Sequence, residues 1–209
     1  MAVPTNQTIT RIETSRVVTI LRGDFRDTIS RLAHILADAG LTAVEATLNS
    51  TDPLRLIKTL IAEIGDRAVI GAGTVLTADD VSRVADVGAR FIVSPNFNPA
   101  VVAQTKKLNL VSVPGCFTPS EVVAALEAGA DAIKLFPATH MGPSYVRALR
   151  GPLNDVRLVP TGGVTPELAR EYRAAGAWTI GVGSELITRD LDAIGPRAMA
   201  FVSAMKGAS

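Results

Sequence analysis

Ala128-Gly129-Ala130-Asp131-Ala132-Ile133-Lys134-Leu135-Phe136-Pro137 closes a helix and opens a strand within ten residues. Gly129 suits the left-handed conformation that stops a helix. The run after it is short, apolar and ends at a proline. The same stop recurs at Ala39-Gly40, Val87-Gly88 and Ala175-Gly176, so the four glycines lie 48, 41 and 47 residues apart. Eight strand-like runs fit this rhythm. They are Val17–Leu21, Ala43–Leu48, Ala68–Ala72, Phe91–Ser94, Leu110–Pro114, Ala132–Phe136, Arg157–Pro160 and Thr179–Val182. Most are apolar throughout, the pattern of parallel strands covered on both faces. Helical stretches separate them at Thr28–Ala39, Pro53–Ile64, Ala78–Val87, Pro99–Leu108, Pro119–Ala128, Ser144–Leu149 and Pro166–Ala174, and a last one runs from about Pro196 to Lys206. Thr118-Pro119 and Thr165-Pro166 combine a capping hydroxyl with proline in the first turn.

Each period therefore holds two strand–helix units. A solenoid could share the period. Eight such units in 209 residues, with no capping repeat, favour closure into a (β/α)8 TIM barrel of the α/β class. Neither a linker nor a low-complexity tract interrupts the chain, so a single domain is expected over residues 1–209, its core at about 17–206.

Composition narrows the function. With 47% apolar and 20% charged residues, the chain reads as a soluble globular protein rather than a disordered one. A net charge of +1 with no basic run gives no footprint for nucleic acid or an anionic membrane surface. No apolar run approaches the roughly 18 residues of a membrane-spanning helix. Met1–Ile12 is polar and lacks the apolar region of a signal peptide. The single cysteine, Cys116, excludes an intrachain disulfide and a multi-cysteine zinc site, which fits a cytoplasmic protein.

In such barrels chemistry gathers at the carboxyl ends of the strands. Of five lysines, only Lys134 falls inside an apolar strand run. Burial costs an ammonium on the order of several kcal/mol. It therefore enriches the neutral amine, the nucleophile a ketone needs. A lysine snorkelling outward between helices is an equally weighted reading of the same placement. Glu45 is the lone carboxylate within a strand core, and alternation puts it on one face with Thr47. If that face is the interior, Glu45 and Lys134 share a space, as a Schiff-base pair or as a structural buried ion pair. Arg22, after strand 1, could fork onto a carboxylate, although a loop arginine is more often solvated. Gly71-Ala72-Gly73-Thr74, at the end of strand 3, could let a ligand approach the backbone and offers a hydroxyl, yet such a pair is commonly just a turn. Thr161-Gly162-Gly163 and Gly181-Val182-Gly183-Ser184 follow strands 7 and 8, where this fold often binds phosphate on backbone N–H groups. His34 reads as structural, on an apolar helix face. His140 reads as a polar loop residue. Cys116 lacks an activating partner. No His, Cys, Asp or Glu grouping suggests a metal.

Five ordered motifs carry a family resemblance from about Val17 to Ser184. They are Val44-Glu45-Ala46-Thr47-Leu48, Gly71-Ala72-Gly73-Thr74-Val75-Leu76, Pro114-Gly115-Cys116, Ile133-Lys134-Leu135-Phe136-Pro137-Ala138 and Thr161-Gly162-Gly163-Val164. Together they resemble the KDPG/KHG aldolase family of class I, metal-independent aldolases on (β/α)8 barrels. Ile20-Leu21-Arg22-Gly23, Leu48-Asn49-Ser50, Ser94-Pro95-Asn96 and Met141-Gly142-Pro143-Ser144-Tyr145-Val146 are similar to the branch that cleaves the 6-phosphogalactonate series. Thr161 before the glycine pair is more similar to the gluconate branch. The resemblance implies Lys134 as the Schiff-base lysine and Glu45 as the general acid/base. It implies that Arg22 and Thr74, with Thr161, hold the substrate carboxylate, and that Gly162, Gly163, Gly183 and Ser184 hold the phosphate. The implied substrate is a phosphorylated 2-keto-3-deoxy sugar acid, split to pyruvate and glyceraldehyde 3-phosphate. No cofactor is expected, and a homotrimer is. An epimerase or a thiamine-phosphate-type synthase on a phosphate-binding barrel would share the glycine turns but not need the Lys134–Glu45 pair. A non-catalytic binding barrel would need no lysine there.

Overall fold

Nine short strands and nine α-helices alternate along residues 5–206, the residues that the computed structural model describes. The strands are β1 (Val17–Leu21), β2 (Ala43–Thr47), β3 (Val69–Gly73), β4 (Phe91–Val93), β5 (Val111–Val113), β6 (Gly115–Cys116), β7 (Ile133–Leu135), β8 (Leu158–Pro160) and β9 (Ile180–Val182). The helices are α1 (Thr5–Ser15), α2 (Ile29–Asp38), α3 (Pro53–Ile64), α4 (Ala78–Asp86), α5 (Pro99–Lys107), α6 (Pro119–Glu127), α7 (Gly142–Arg150), α8 (Pro166–Ala174) and α9 (Ile194–Lys206). All strand pairs are parallel. They form a curled surface in two pieces, ordered β5-β4-β3-β2-β1-β9 and β6-β7-β8. The pieces are joined by the chain through Pro114 and touch again where Thr161 bridges Gly181.

The fifth expected strand is thus broken in two. Proline has no N–H to give to a ladder. At Pro114 the chain leaves β4 and begins to pair with β7, whose Lys134 N–H donates to the Pro114 carbonyl at 2.9 Å. Gly115 follows because it lies so close to the Pro95 carbonyl that no β-carbon would fit.

Alternation along each strand builds two apolar layers. Val17, Leu21, Val44, Ala46, Ile70, Ala72, Ile92, Ile133, Leu135, Leu158, Ile180 and Val182 point out and pack under the helices. Val18, Ala43, Val69, Phe91, Val93, Val111, Val113, Ala132 and Val159 point in and fill the interior. The four repeating glycines at 40, 88, 129 and 176 all take positive φ, between 86° and 100°, and stop α2, α4, α6 and α8 as the sequence predicts. At the other helix ends, side chains accept the free N–H groups: Thr77 caps α4, Asn98 caps α5 and Thr165 caps α8. Thr118 and Glu121 form a reciprocal capping box on α6.

One element is absent from the sequence expectations. Helix α1 lies at the amino-terminal end of the strands, and its Ile12, 1% exposed, joins the interior layer beside Ile9 and Trp178. It closes the floor of the curled sheet. Of the polar stretch Met1–Ile12, residues 1–4 lie outside the described residues. Among the described residues no helix is long and apolar enough to cross a membrane.

Candidate active site

Above the apolar floor the interior turns polar. Glu45 on β2 and Lys134 on β7 follow the inward parity of Ala43 and Ala132, and they are 1% and 4% exposed. Both line one interior space, together with Ile20, Thr161 and the apolar layer below. Lys134, Ile20 and Thr161 also border an open cleft of about 350 Å³ at the carboxyl end of the strands. The outward, snorkelling placement of Lys134 is therefore not the observed one. No ion pair or hydrogen bond joins Lys134 to Glu45, and Glu45 Oε1 is buried without a hydrogen-bond partner. A carboxylate that is buried, charged in principle and unbonded is expected at a working site rather than in a structural pair.

Burial sets the electrostatics of both groups. It pulls the Lys134 ammonium below its ordinary value of 10.5; the Glu45 charge pushes it back up, and Arg22 pulls it down further. Burial pushes the Glu45 carboxyl above its ordinary 4.5, against the pull of Lys134 and Arg22. Desolvation leads in both cases, so each group is biased toward its neutral form. The Phe136 ring lies beside the amine, its centroid 5.0 Å from Nζ.

The cleft gathers most of the other expected residues. Arg22, exposed after β1, lines it. So do Gly162 and Gly163, in a turn with φ of 101° and 66°, and Gly183 and Ser184 after β9. In that second turn the Gly183 carbonyl accepts from the N–H groups of Leu186 and Ile187 at 3.0 and 2.8 Å, which makes one helical turn starting at the cleft. Backbone N–H groups at such a start favour an anion. Thr161 borders the cleft, but its hydroxyl donates to the Val159 carbonyl at 3.1 Å.

The KDPG and KHG aldolase family model matches residues 8–197. The chain belongs to this aldolase family. A 2-dehydro-3-deoxy-6-phosphogalactonate aldolase of Escherichia coli is 39% identical over 197 residues, covering 92% of this chain and 95% of that protein. A solved structure described as "Native KDPGal structure" superposes with a TM-score of 0.88 at 37% identity, covering 91% of this chain and 94% of that one. A KDPG aldolase from Legionella pneumophila, solved with pyruvate captured at low pH as a covalent carbinolamine intermediate, gives a TM-score of 0.84 at 27% identity and covers 94% of this chain and 98% of that one.

Within this aldolase, several residues sit differently from the sequence reading. Gly71 and Gly73 do not open a path for ligand. A β-carbon at Gly71 would meet the Phe91 ring at 2.6 Å, and one at Gly73 would meet Glu45 Oε1 at 2.5 Å, so inward side chains already fill both gaps. Thr74 takes a strained φ of 56° and lines neither the interior space nor the cleft. His34 is exposed and its ring bonds Glu63 at 3.1 Å, because it is out of register with the buried stripe of Leu32, Ala33 and Leu36. His140, read as a polar loop residue, is indeed exposed, at the end of a 3₁₀ turn, and does not border the cleft. Burial pushes the Cys116 thiol up to about 12, which agrees with its lack of a nucleophilic role. Among the described residues no group of three or more His, Cys, Asp and Glu could hold a metal. Phe136, Glu185 and Ile187 line the cleft and escaped the sequence reading, since an apolar or charged residue in a loop carries no local signal of a site.

Proposed function

We propose that this family member is a class I aldolase that cleaves 2-dehydro-3-deoxy-6-phosphogalactonate to pyruvate and D-glyceraldehyde 3-phosphate through a Schiff base on Lys134. One observation carries the reading: a buried lysine at the base of a cleft edged by two glycine turns, with a buried, unbonded carboxylate lining the same interior space. The covalent carbinolamine that the Legionella pneumophila relative forms with pyruvate supports covalent chemistry of this kind in the present chain.

The neutral Lys134 amine attacks the C2 carbonyl and gives a carbinolamine. Glu45, in its acid form, protonates the departing hydroxyl, and water leaves as the iminium forms. The C4 hydroxyl then loses its proton to the Glu45 carboxylate. As the C3–C4 bond breaks, its electron pair moves to C3–C2 and the iminium nitrogen becomes an enamine. The aldehyde departs. Glu45 returns a proton to C3, and water hydrolyses the restored iminium, which frees pyruvate and the amine. Arg22, with Thr161, would hold the carboxylate at the cleft; Thr74, which lines neither space, takes no part in this reading. Gly162, Gly163, Gly183 and Ser184 would hold the phosphate on backbone N–H groups and one hydroxyl. The name of the Escherichia coli relative and the Asn49 in Leu48-Asn49-Ser50 favour the galactonate substrate.

The reading extends to a single-domain, closed (β/α)8 barrel that works in the cytoplasm as a homotrimer. The Thr161–Gly181 bridge supports closure. Borohydride reduction in the presence of pyruvate tests the core of it. Peptide mapping is expected to find the reduced pyruvyl adduct on Lys134, and an unmodified Lys134 would end the mechanism. The gluconate series is the second reading, favoured by Thr161 at the cleft. Parallel assays of both phosphorylated sugar acids decide between them.

A further inference from the structure

We infer that Gly73 is a positioning residue for the acid/base, supplying a slot that holds the Glu45 carboxylate by shape instead of by hydrogen bonds. The inference rests on the aldolase reading above. In the β2–β3 register Glu45 pairs with Gly71 and Thr47 with Gly73. The carboxylate nevertheless lies over Gly73, one step further along the strand. A β-carbon at Gly73 would stand 2.5 Å from Oε1, 2.9 Å from the Glu45 carboxyl carbon and 3.1 Å from Thr47 Cγ2. Strand side chains lean along the strand direction, and only a residue without a side chain at 73 leaves room for this lean. The slot is bounded by the Gly73 backbone and flanked by the Thr47 methyl. Since Oε1 accepts no hydrogen bond, its lone pairs stay available for proton transfer. The charged groups that face Glu45 are Lys134 from β7 and Arg22 from the loop after β1, while β3 presents only Gly71 and Gly73. A turned carboxylate changes its distance to both cations.

The test compares Gly73→Ala in the full chain with wild type. The expected result is a kcat lower by about tenfold or more at little change in KM, because small misplacements of a reacting group are costly. The limb of the kcat–pH profile that belongs to Glu45 is expected to move. Aspartate is one methylene shorter and clears an added methyl, so Gly73→Ala combined with Glu45→Asp should turn over several-fold faster than the product of the single losses allows. Should Gly73→Ala not fold, Thr47→Ser decides. It keeps the hydroxyl that donates to the Leu21 carbonyl and meets Ser50, yet it removes the flanking methyl. A lower kcat with a displaced limb supports the slot. An unmoved limb in the folded variants, with additive losses in the double variant, overturns it. If wild type itself fails to trap pyruvate on Lys134, the aldolase reading has failed instead; trapping with an unmoved limb sinks the Gly73 role alone.

Discussion

At the scale of single residues, the site depends on what burial does to one amine and one acid. In the proposed mechanism Lys134 attacks only as the neutral amine, and burial holds its pKa below the ordinary 10.5. On the proposed mechanism the acid limb of the rate of pyruvate adduct formation should therefore fall below the range of a solvated lysine. A limb at the ordinary lysine value, read by borohydride trapping across pH, would contradict this. Glu45 has a raised folded-state pKa, so its contribution to stability is fully present below 4.5 and is lost as pH rises through the folded value. Glu45→Gln removes that loss. Its melting temperature should exceed that of wild type by a margin that grows with pH, about 2–4 °C for each kcal/mol regained in a chain of this size. Lys134 and Glu45 were legible in the sequence because a charge inside an apolar strand is chemically conspicuous. Gly71 and Gly73 were not, since the side chains that fill their gaps come from other strands, through pairings that no local pattern reveals.

At the scale of elements, glycine stops fix where α2, α4, α6 and α8 end, and side-chain caps fix where α4, α5, α6 and α8 begin. Thr118 both accepts the Glu121 N–H and belongs to a reciprocal box. Thr118→Ala should cost about 1 kcal/mol of stability without touching turnover, and paired denaturant melts and rate assays check both halves. Helix α1 carries the floor: Ile12 is 1% exposed among interior valines and Phe91. Ile12→Ala should cost about 2–5 kcal/mol in denaturant unfolding. The sequence hid α1, because eleven largely polar residues with few apolar positions look like a tail until the interior they cover is known. It also presented Leu110–Pro114 as one strand. Pro114 falls where the chain changes partners, and a change of partner is a tertiary event.

At the scale of the whole molecule, parity was the most informative feature of the sequence. Runs apolar on both faces implied strands covered by helices outside and by one another inside, and the two apolar layers match that. What parity could not supply was which inward residues share a space. The inward ladder gathers valines and Phe91 with Glu45, Lys134 and Thr161 around one space, which Ile12 of α1 and Trp178 also line. Thr74 directly follows β3 and His140 lies five residues beyond β7, yet neither borders the cleft.

That packed floor turns the reaction chamber into a cul-de-sac. On the proposed mechanism a keto acid tethered to Lys134 would sit at the blind end, with the aldehyde half between it and solvent. Position and covalent attachment then impose the same order: the outer fragment clears before hydrolysis of the iminium frees the inner one. In the condensing direction the keto acid has to arrive first. Product-inhibition patterns are expected to show this compulsory order, and random release would contradict a keto acid tethered at a blind end.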